Sequence, residues 1–306
     1  MSSAEIDDTY AEAFRSVYAE VLITAHDRQW LDRAVAAATG NASSTILCDC
    51  EAGLDHYVGP GLDDRFSTFD GRPGAVVQFH VPRFRKDRLQ ALGRSLLVRI
   101  SQNVLTCPTA ACFNLLDTEP YFKLGRKFAF FGDGHQFRDV RYGRRVWVVP
   151  ILGGEFTIDR RFGFRDGLMG GNLWFLGRDA QAALSAASLA AAAAARTPGV
   201  ILPFPGGIAA SGSKAGSRYP FAIASTYSEF CPTLREKLGA ASRVPDIIHI
   251  GLFHSLYWTV ASGKKDTKQA SDFYANYIEA ETGALAEYLR DFFQFPEPPA
   301  VGPSTT

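Results

Sequence analysis

"YAEVLITAHDRQWLDRAVAAATG", residues 18–40, decides the fold. The first part, "YAEVLITA" (18–25), reads as a β-strand. The second, "DRQWLDRAVAAATG", has helical spacing at Trp30, Leu31, Val35 and Ala36 and a terminating Gly40. A strand feeding a helix opens a mixed domain. Downstream, "SSTILCDC" is predicted as a second strand and "RPGAVVQFHV" (72–81) as a third, begun by a Pro-Gly turn. "KDRLQALGRSLLVRISQNVL" is an amphipathic helix with Leu89, Leu92, Leu96, Leu97 and Ile100 along one face. The order is β-α-β-β-α.

"KFAFFGDGHQF" and "RRVWVVPILGGEFTI" supply further predicted strands, the second passing through Pro150, which suits an edge or a bulge. "NLWFLG" is another strand, and the Ala-rich segment 179–196 is a helix. "GVILPFP" and "PDIIHIGL" (245–252) complete the set, so β-α-β recurs from about residue 170. The expected fold class is α+β, with two ferredoxin-like (split β-α-β) lobes that carry helices on one face of an antiparallel sheet. The lobes are expected at residues 1–150 and 151–295, followed by a disordered tail, "FPEPPAVGPSTT", at about 296–306.

The chain has 306 residues, 46% of them apolar, enough to bury a real core. Lys plus Arg equals Asp plus Glu at 32 each, which argues against a nucleic-acid footprint across the whole chain. The N-terminus, "MSSAEIDDTYAEAF", is acidic and unlike a secretory signal. "AALSAASLAAAAAARTPG" is short, made of weakly hydrophobic alanine and ended by Arg196, so it reads as a soluble helix whose small side chains allow close packing, and no membrane contact is expected. Five cysteines, an odd count at low density, suggest free thiols and a reducing, cytoplasmic compartment. No Cys/His pairs stand at zinc-finger spacing, so "CDC" (48–50) is read as buried strand rather than metal site.

"LPFPGGIAASGSKAGSRYPF" (202–221) has more glycines than a corner needs. It is not a P-loop, because Lys214 falls one residue late and no Ser or Thr follows it. "SGSK" matches S-x-x-K, but no K-T-G accompanies it. What survives is a set of unobstructed amides able to converge on an anion or developing oxyanion, with Ser211, Ser213 and Lys214 as added donors. "FFGDGHQ" (130–136), with Asp133, His135 and Gln136, and "MGGN" (169–172) are two further glycine-rich corners. With the loop they are expected to form one pocket at strand ends.

"RISQNVLTCPTAACF", "FAFFGDGHQ", "GRRVWVVPILGGEF", "GGNLWFLGRDAQAAL", "ILPFPGGIAASGSKAGS" and "ASTYSEFCPTL" lie in consistent order. On these stretches, and on "DDTYAEAF", "VLITA" and "GRPG", the chain resembles the formylmethanofuran:tetrahydromethanopterin formyltransferase family from about residue 7 to 251. The resemblance implies formyl transfer between methanofuran and N5 of tetrahydromethanopterin in one-carbon metabolism. Both carriers would be substrates, with no metal and no tightly bound cofactor. It implies a cytoplasmic homo-oligomer, or a subunit beside hydrolase subunits in a complex active in formaldehyde oxidation.

The resemblance also places the substrate site on Phe131, Gly132, Asp133, Gly134, Gln136, Gly170, Gly171, Asn172, Phe204, Pro205, Gly206, Gly207, Ser211, Ser213 and Lys214. Where the family has a catalytic glutamate this chain has Asp246, one methylene shorter. Arg126, Arg144 and Arg145 are among the cations that would receive carboxylate-rich carrier tails, and Phe130, Phe131 and Phe204 would pack on their rings. After Gly251 the resemblance fades into a segment with helical spacing at Phe273, Tyr277, Leu285 and Phe292. That departure favours an alternative, a formyltransferase-like scaffold subunit without turnover.

Overall fold

In the computed structural model, described for residues 14–258 apart from 64, 198, 211–227 and 249, the opening stretch forms β1 (Phe14–Thr24) and α1 (Arg28–Thr39). The expected tail and the helical spacing after residue 272 lie outside the described residues. Asp27 caps α1 by accepting the Trp30 N–H, and Leu31, Ala34, Val35 and Ala38 form its buried stripe, while Ala36 is exposed. Next come β2 (Glu51–Val58), β3 (Gly74–Pro82) and α2 (Arg88–Arg99), which runs on through a wide turn at Ile100–Val104. Leu92, Leu96 and Ile100 are sealed in the core, as their spacing predicted, but Leu89 faces outward. Arg99, buried near the end of α2, donates to the carbonyls of Ala38, Gly40 and Asn41 and pairs with Asp49. It thereby serves the carbonyls that the end of α1 leaves open.

Then follow β4 (Ala111–Asn114), β5 (Tyr121–Phe122), α3 (Gly125–Ala129), β6 (Phe137–Arg141), β7 (Arg144–Ile151), β8 (Gly154–Asp159) and β9 (Phe162–Gly163). The last described elements are β10 (Arg165–Gly177), α4 (Ala180–Ala194), β11 (Val200–Ile201), α5 (Arg235–Leu238) and β12 (Ile250–Trp258).

The class is α+β. Strand β1 organises the sheet. Along one edge it pairs antiparallel with β3 over Ser16–Thr24; along the other, its first half pairs with β10 and its second half with β4. The connection β1-α1-β2-β3-α2-β4 gives the spatial order β2-β3-β1-β4 with every neighbour antiparallel. The chain β10-α4-β11-β12 repeats the start of that path, with β12 lying between β10 and β11. A meander, β8-β7-β6, extends the sheet from β4. The odd-numbered residues Val17, Ala19, Val21 and Ile23 enter the main core with Leu31, Phe79, Leu92 and Leu96.

Four local predictions need correction. "SSTILCDC" is a turn-rich loop: Glu51 accepts the Thr45 N–H and hydroxyl, which holds the loop closed, and the strand begins only at Glu51. "KFAFFG" is helical. Phe128 and Ala129 are buried in succession while Phe130 and Phe131 are exposed, which strand alternation forbids. Gly125 admits this turn, since a Cβ there would lie 2.5 Å from the Arg160 Cα. "MGGN" is not a corner but the middle of the 13-residue β10, at a register shift between Leu168 and Gly171. "PDII" is a turn closed by the Ile248 N–H on the Pro245 carbonyl, and β12 starts at Ile250.

Pro150 does sit where β7 has run past the last pair of β6, at Phe137–Val148, so its missing N–H costs no ladder bond on that side. The alanine helix α4 packs as expected. A Cβ on Gly177 would meet the Ala183 backbone at 2.6 Å.

Candidate functional site

The even-numbered residues of β1 turn away from the helices, and on that face the sheet carries a buried polar chain that the sequence reading missed. Ser16 Oγ lies 2.9 Å from His80 Nδ1, and His80 Nε2 lies 3.0 Å from Gln78 Oε1. Gln78 Nε2 donates to Asp55 Oδ2 at 2.7 Å and reaches Glu20 Oε2 at 3.4 Å. These partners fix the proton positions. His80 donates through Nε2 to the amide oxygen and accepts the Ser16 hydroxyl at Nδ1. Burial pushes His80 down to about 3, so it is a neutral ring, stacked on Tyr18 at 5.1 Å.

The other end holds two carboxylates. Burial, and then the neighbouring Asp55 charge, push Glu20 up to about 7. His56, Arg165 and the Gln78 amide oppose that rise. Asp55 is deeper but better served: its Oδ1 accepts the Gly199 N–H at 2.9 Å and lies 2.9 Å from His56 Nδ1. That hydrogen bond in turn holds His56 above its ordinary value. A carboxyl that is half-protonated near neutrality can give or take a proton at working pH. The visible signal was Glu20 itself, a lone charge inside the apolar strand "YAEVLITA".

This chain lies beneath the α4–β11 connection. Asp55 holds Gly199, and Gly53 leaves space for Ile201, whose Cβ would be 2.9 Å from a Cβ at 53. Five residues after Gly199 the chain enters the bend Phe204–Pro205–Gly206–Gly207. Gly206 (φ 62°) and Gly207 (φ 75°) are left-handed, and a side chain on Gly207 would strike Leu202 at 2.7 Å. The Gly207 and Ile208 amides close this turn on the carbonyls of Phe204 and Pro205. Ser211, Ser213 and Lys214 lie outside the described residues.

Gly170 (φ 95°), Gly171 and Asn172 sit on β10, where Gly171 is opposite Leu256 and Asn172 opposite Ser255 of β12. Met169 and Ile201 form a small cluster of their own, joining the β10 bulge to β11. Positions 170–172 and 204–207 thus belong to the same three-strand group.

The bend at Phe131, Gly132, Asp133, Gly134 and Gln136 is elsewhere. It follows α3 and leads into β6, the last strand of the meander β8-β7-β6 that extends the sheet from β4. Asp133 (φ 48°) and Gly134 (φ 92°) make the reversal, and Gln136 Oε1 accepts the Gly134 N–H at 2.9 Å. Phe131 is half exposed.

Asp246 is exposed on the turn before β12, where Arg235 donates to the carbonyls of Pro245, Asp246 and Ile248. Arg144, a predicted carrier contact, pairs instead with the buried Asp159 and donates to the Asn114 carbonyl. Cys50 is pushed up to about 12 by burial and Cys112 also rises, the state of apolar packing groups rather than ligands. Among the described residues, no helix is long and apolar enough to cross a membrane.

The family described as formylmethanofuran-tetrahydromethanopterin formyltransferase matches residues 1–151, and its proximal lobe matches residues 154–252. A formylmethanofuran–tetrahydromethanopterin formyltransferase of Methanocaldococcus jannaschii is 43% identical over 235 residues, 75% of each chain. The solved formyltransferase of Methanosarcina barkeri superposes with a TM-score of 0.75 at 39% identity, covering 83% of both chains. A chain of the formyltransferase/hydrolase complex of Methylorubrum extorquens, solved with methylofuran, gives a TM-score of 0.74 at 36% identity over 84% of this chain and 81% of that one.

Proposed function

Because the chain belongs to the formylmethanofuran–tetrahydromethanopterin formyltransferase family, we propose that it moves a formyl group between methanofuran and N5 of tetrahydromethanopterin. The match across both halves of the chain, at about 40% identity with enzymes of that activity, is the observation that carries this reading. N5 attacks the formamide carbon, the carbonyl oxygen becomes negative, and amide donors lower that state more than the planar substrate. Collapse breaks the bond to the methanofuran nitrogen. The proton lost from N5 balances the proton gained by the leaving amine.

Phe204, Pro205, Gly206 and Gly207, with Gly170, Gly171, Asn172, Ser211, Ser213 and Lys214, are the proposed carrier-binding set. Phe131–Gly134 and Gln136 are proposed as a second stretch of it. Asp246 is the proposed proton donor, reached from the exposed turn before β12. Both carriers act as substrates, with no tightly bound cofactor.

The order β2-β3-β1-β4 and its partial repeat in β10, β12 and β11 support two ferredoxin-like lobes, at about 1–150 and 151–295. The Methylorubrum neighbour, a chain of a formyltransferase/hydrolase complex, supports a place beside hydrolase subunits; self-association and a cytoplasmic location are proposed with it. The exposure of Asp246 favours one competing reading, a scaffold subunit without turnover.

The test is formyl transfer by the purified chain with both carriers, followed by the appearance of N5-formyl pterin. Turnover is expected, and Asp246→Asn should lower kcat by about a hundredfold or more with little change in KM. Binding to hydrolase subunits without turnover would support the scaffold. An unchanged kcat in the variant would remove Asp246 from the chemistry.

A further inference from the structure

Asp246, the proposed proton donor, stands on a turn whose backbone is gripped by one side chain. Arg235, eleven residues earlier, donates from Nη1 to the Asp246 carbonyl at 3.1 Å and from Nη2 to the carbonyls of Pro245 and Ile248. The backbone itself closes the turn with the Ile248 N–H on the Pro245 carbonyl at 2.9 Å. The Arg235 Nε is buried and has no acceptor among the described residues, so the three carbonyls orient the guanidinium. Turn and guanidinium fix each other.

The surrounding stretch is docked on the sheet. Phe230 meets Trp174 of β10 edge to face at 6.2 Å, and the Arg243 guanidinium lies 4.6 Å from the Phe230 ring centre. The Arg243 N–H bonds the Glu229 carbonyl at 2.8 Å, and Cys231 and Val244 are buried on either side of Arg235. Strand β11 runs antiparallel to β12, with Ile201 opposite Tyr257. The chain leaving β11 toward Phe204 therefore heads for the end of β12 that Asp246 precedes.

We propose that Arg235 is a positioning residue for formyl transfer, setting the place of Asp246 by holding the carbonyls of its turn; this rests on the reading of Asp246 as proton donor. The choice of acceptors is the reason. A guanidinium bonded to the carboxylate itself would favour the charged form and occupy the oxygens that must carry the proton. Bonds to carbonyls leave those oxygens to the reaction, and Asp246 is exposed. The planar fork of arginine holds several carbonyls in one geometry, which the point charge of lysine does not. Aspartate is short and has few torsions with which to correct a misplaced backbone, so the grip on that backbone sets the reach of its carboxyl.

A double-mutant cycle tests the proposal. Arg235→Met should lower kcat by about tenfold or more with KM changed by less than about twofold, and Arg235→Lys should recover part of the loss. Both losses should vanish in an Asp246→Asn background, because Arg235 acts through that carboxyl. A merely structural residue would lower kcat by the same factor in both backgrounds. Hydrogen exchange supplies a readout apart from activity: the Ile248 amide should exchange about tenfold or more faster in Arg235→Met. Where Arg235→Met does not fold, Arg235→Lys carries the same comparisons. Equal losses in both backgrounds, a change confined to KM, an unchanged kcat or an unchanged Ile248 amide overturns the proposal. No turnover by the unmodified chain, or an unchanged kcat in Asp246→Asn alone, removes the reading on which it rests, and the proposal with it.

Discussion

Replacing Glu20 by glutamine keeps the shape of the side chain and an oxygen for Gln78, but removes the ionisation. Glu20 is raised from 4.5 to about 7 in the folded chain, first by burial and then by Asp55. A carboxyl raised on folding binds its proton more tightly in the native state. Its contribution to stability is therefore fully present below pH 4.5 and fades as pH rises through 7. At about 1.4 kcal/mol per pKa unit, ionised Glu20 costs the native state about 3 kcal/mol at pH 8, and only about 1 kcal/mol at pH 5. Glu20→Gln should therefore be more stable than the parent by those amounts. His56, raised first by its hydrogen bond to Asp55 and also by the Glu20 charge, adds a dependence of the same sign to both proteins, smaller in the variant, so the difference between them reports Glu20 together with its coupling to His56. Urea unfolding of both at pH 5 and pH 8 measures it. If the two stabilities run parallel across that range, the reading that Glu20 is held in its neutral form is refuted.

Gln78→Met would leave Asp55 Oδ2 and His80 Nε2 without their buried partner, and a loss of about 2–5 kcal/mol in urea unfolding is expected. Gly207→Ala places a Cβ 2.7 Å from Leu202 at a left-handed position, so a cost of about 1–3 kcal/mol in thermal unfolding should accompany weaker carrier binding. Arg99→Met removes the guanidinium that serves three carbonyls around the end of α1 and pairs with Asp49, which should cost about 3–5 kcal/mol, read as a lower urea midpoint.

The elements legible in the sequence are those whose burial follows a single period. In α1 and α2 the buried residues form one stripe, with Ala36 and Leu89 turned outward, β3 is a continuous buried run, and Asp27 announces its helix by its position. The misread stretches are those where a distant backbone decides. "KFAFFG" has a strand's composition, yet it coils because Gly125 lets it lie against Arg160, and composition carries no trace of that approach. "MGGN" looks like a corner because two glycines usually end a strand. In β10 the left-handed Gly170 instead accompanies a bulge, which lets a 13-residue strand pair with β1 at one end and β12 at the other.

The site was legible to the same extent. The glycines that permit left-handed turns announce themselves, whereas Glu20, Asp55, Gln78 and His80 become one chain only through the register that sets Glu20 opposite Gln78 and Gln78 opposite Gly53. That register also accounts for the position of the Phe204–Gly207 bend. With no side chain at Gly53 and with Asp55 holding Gly199, β11 settles onto β2, and the chain is committed to present Phe204–Gly207 just beyond the polar chain rather than across the sheet.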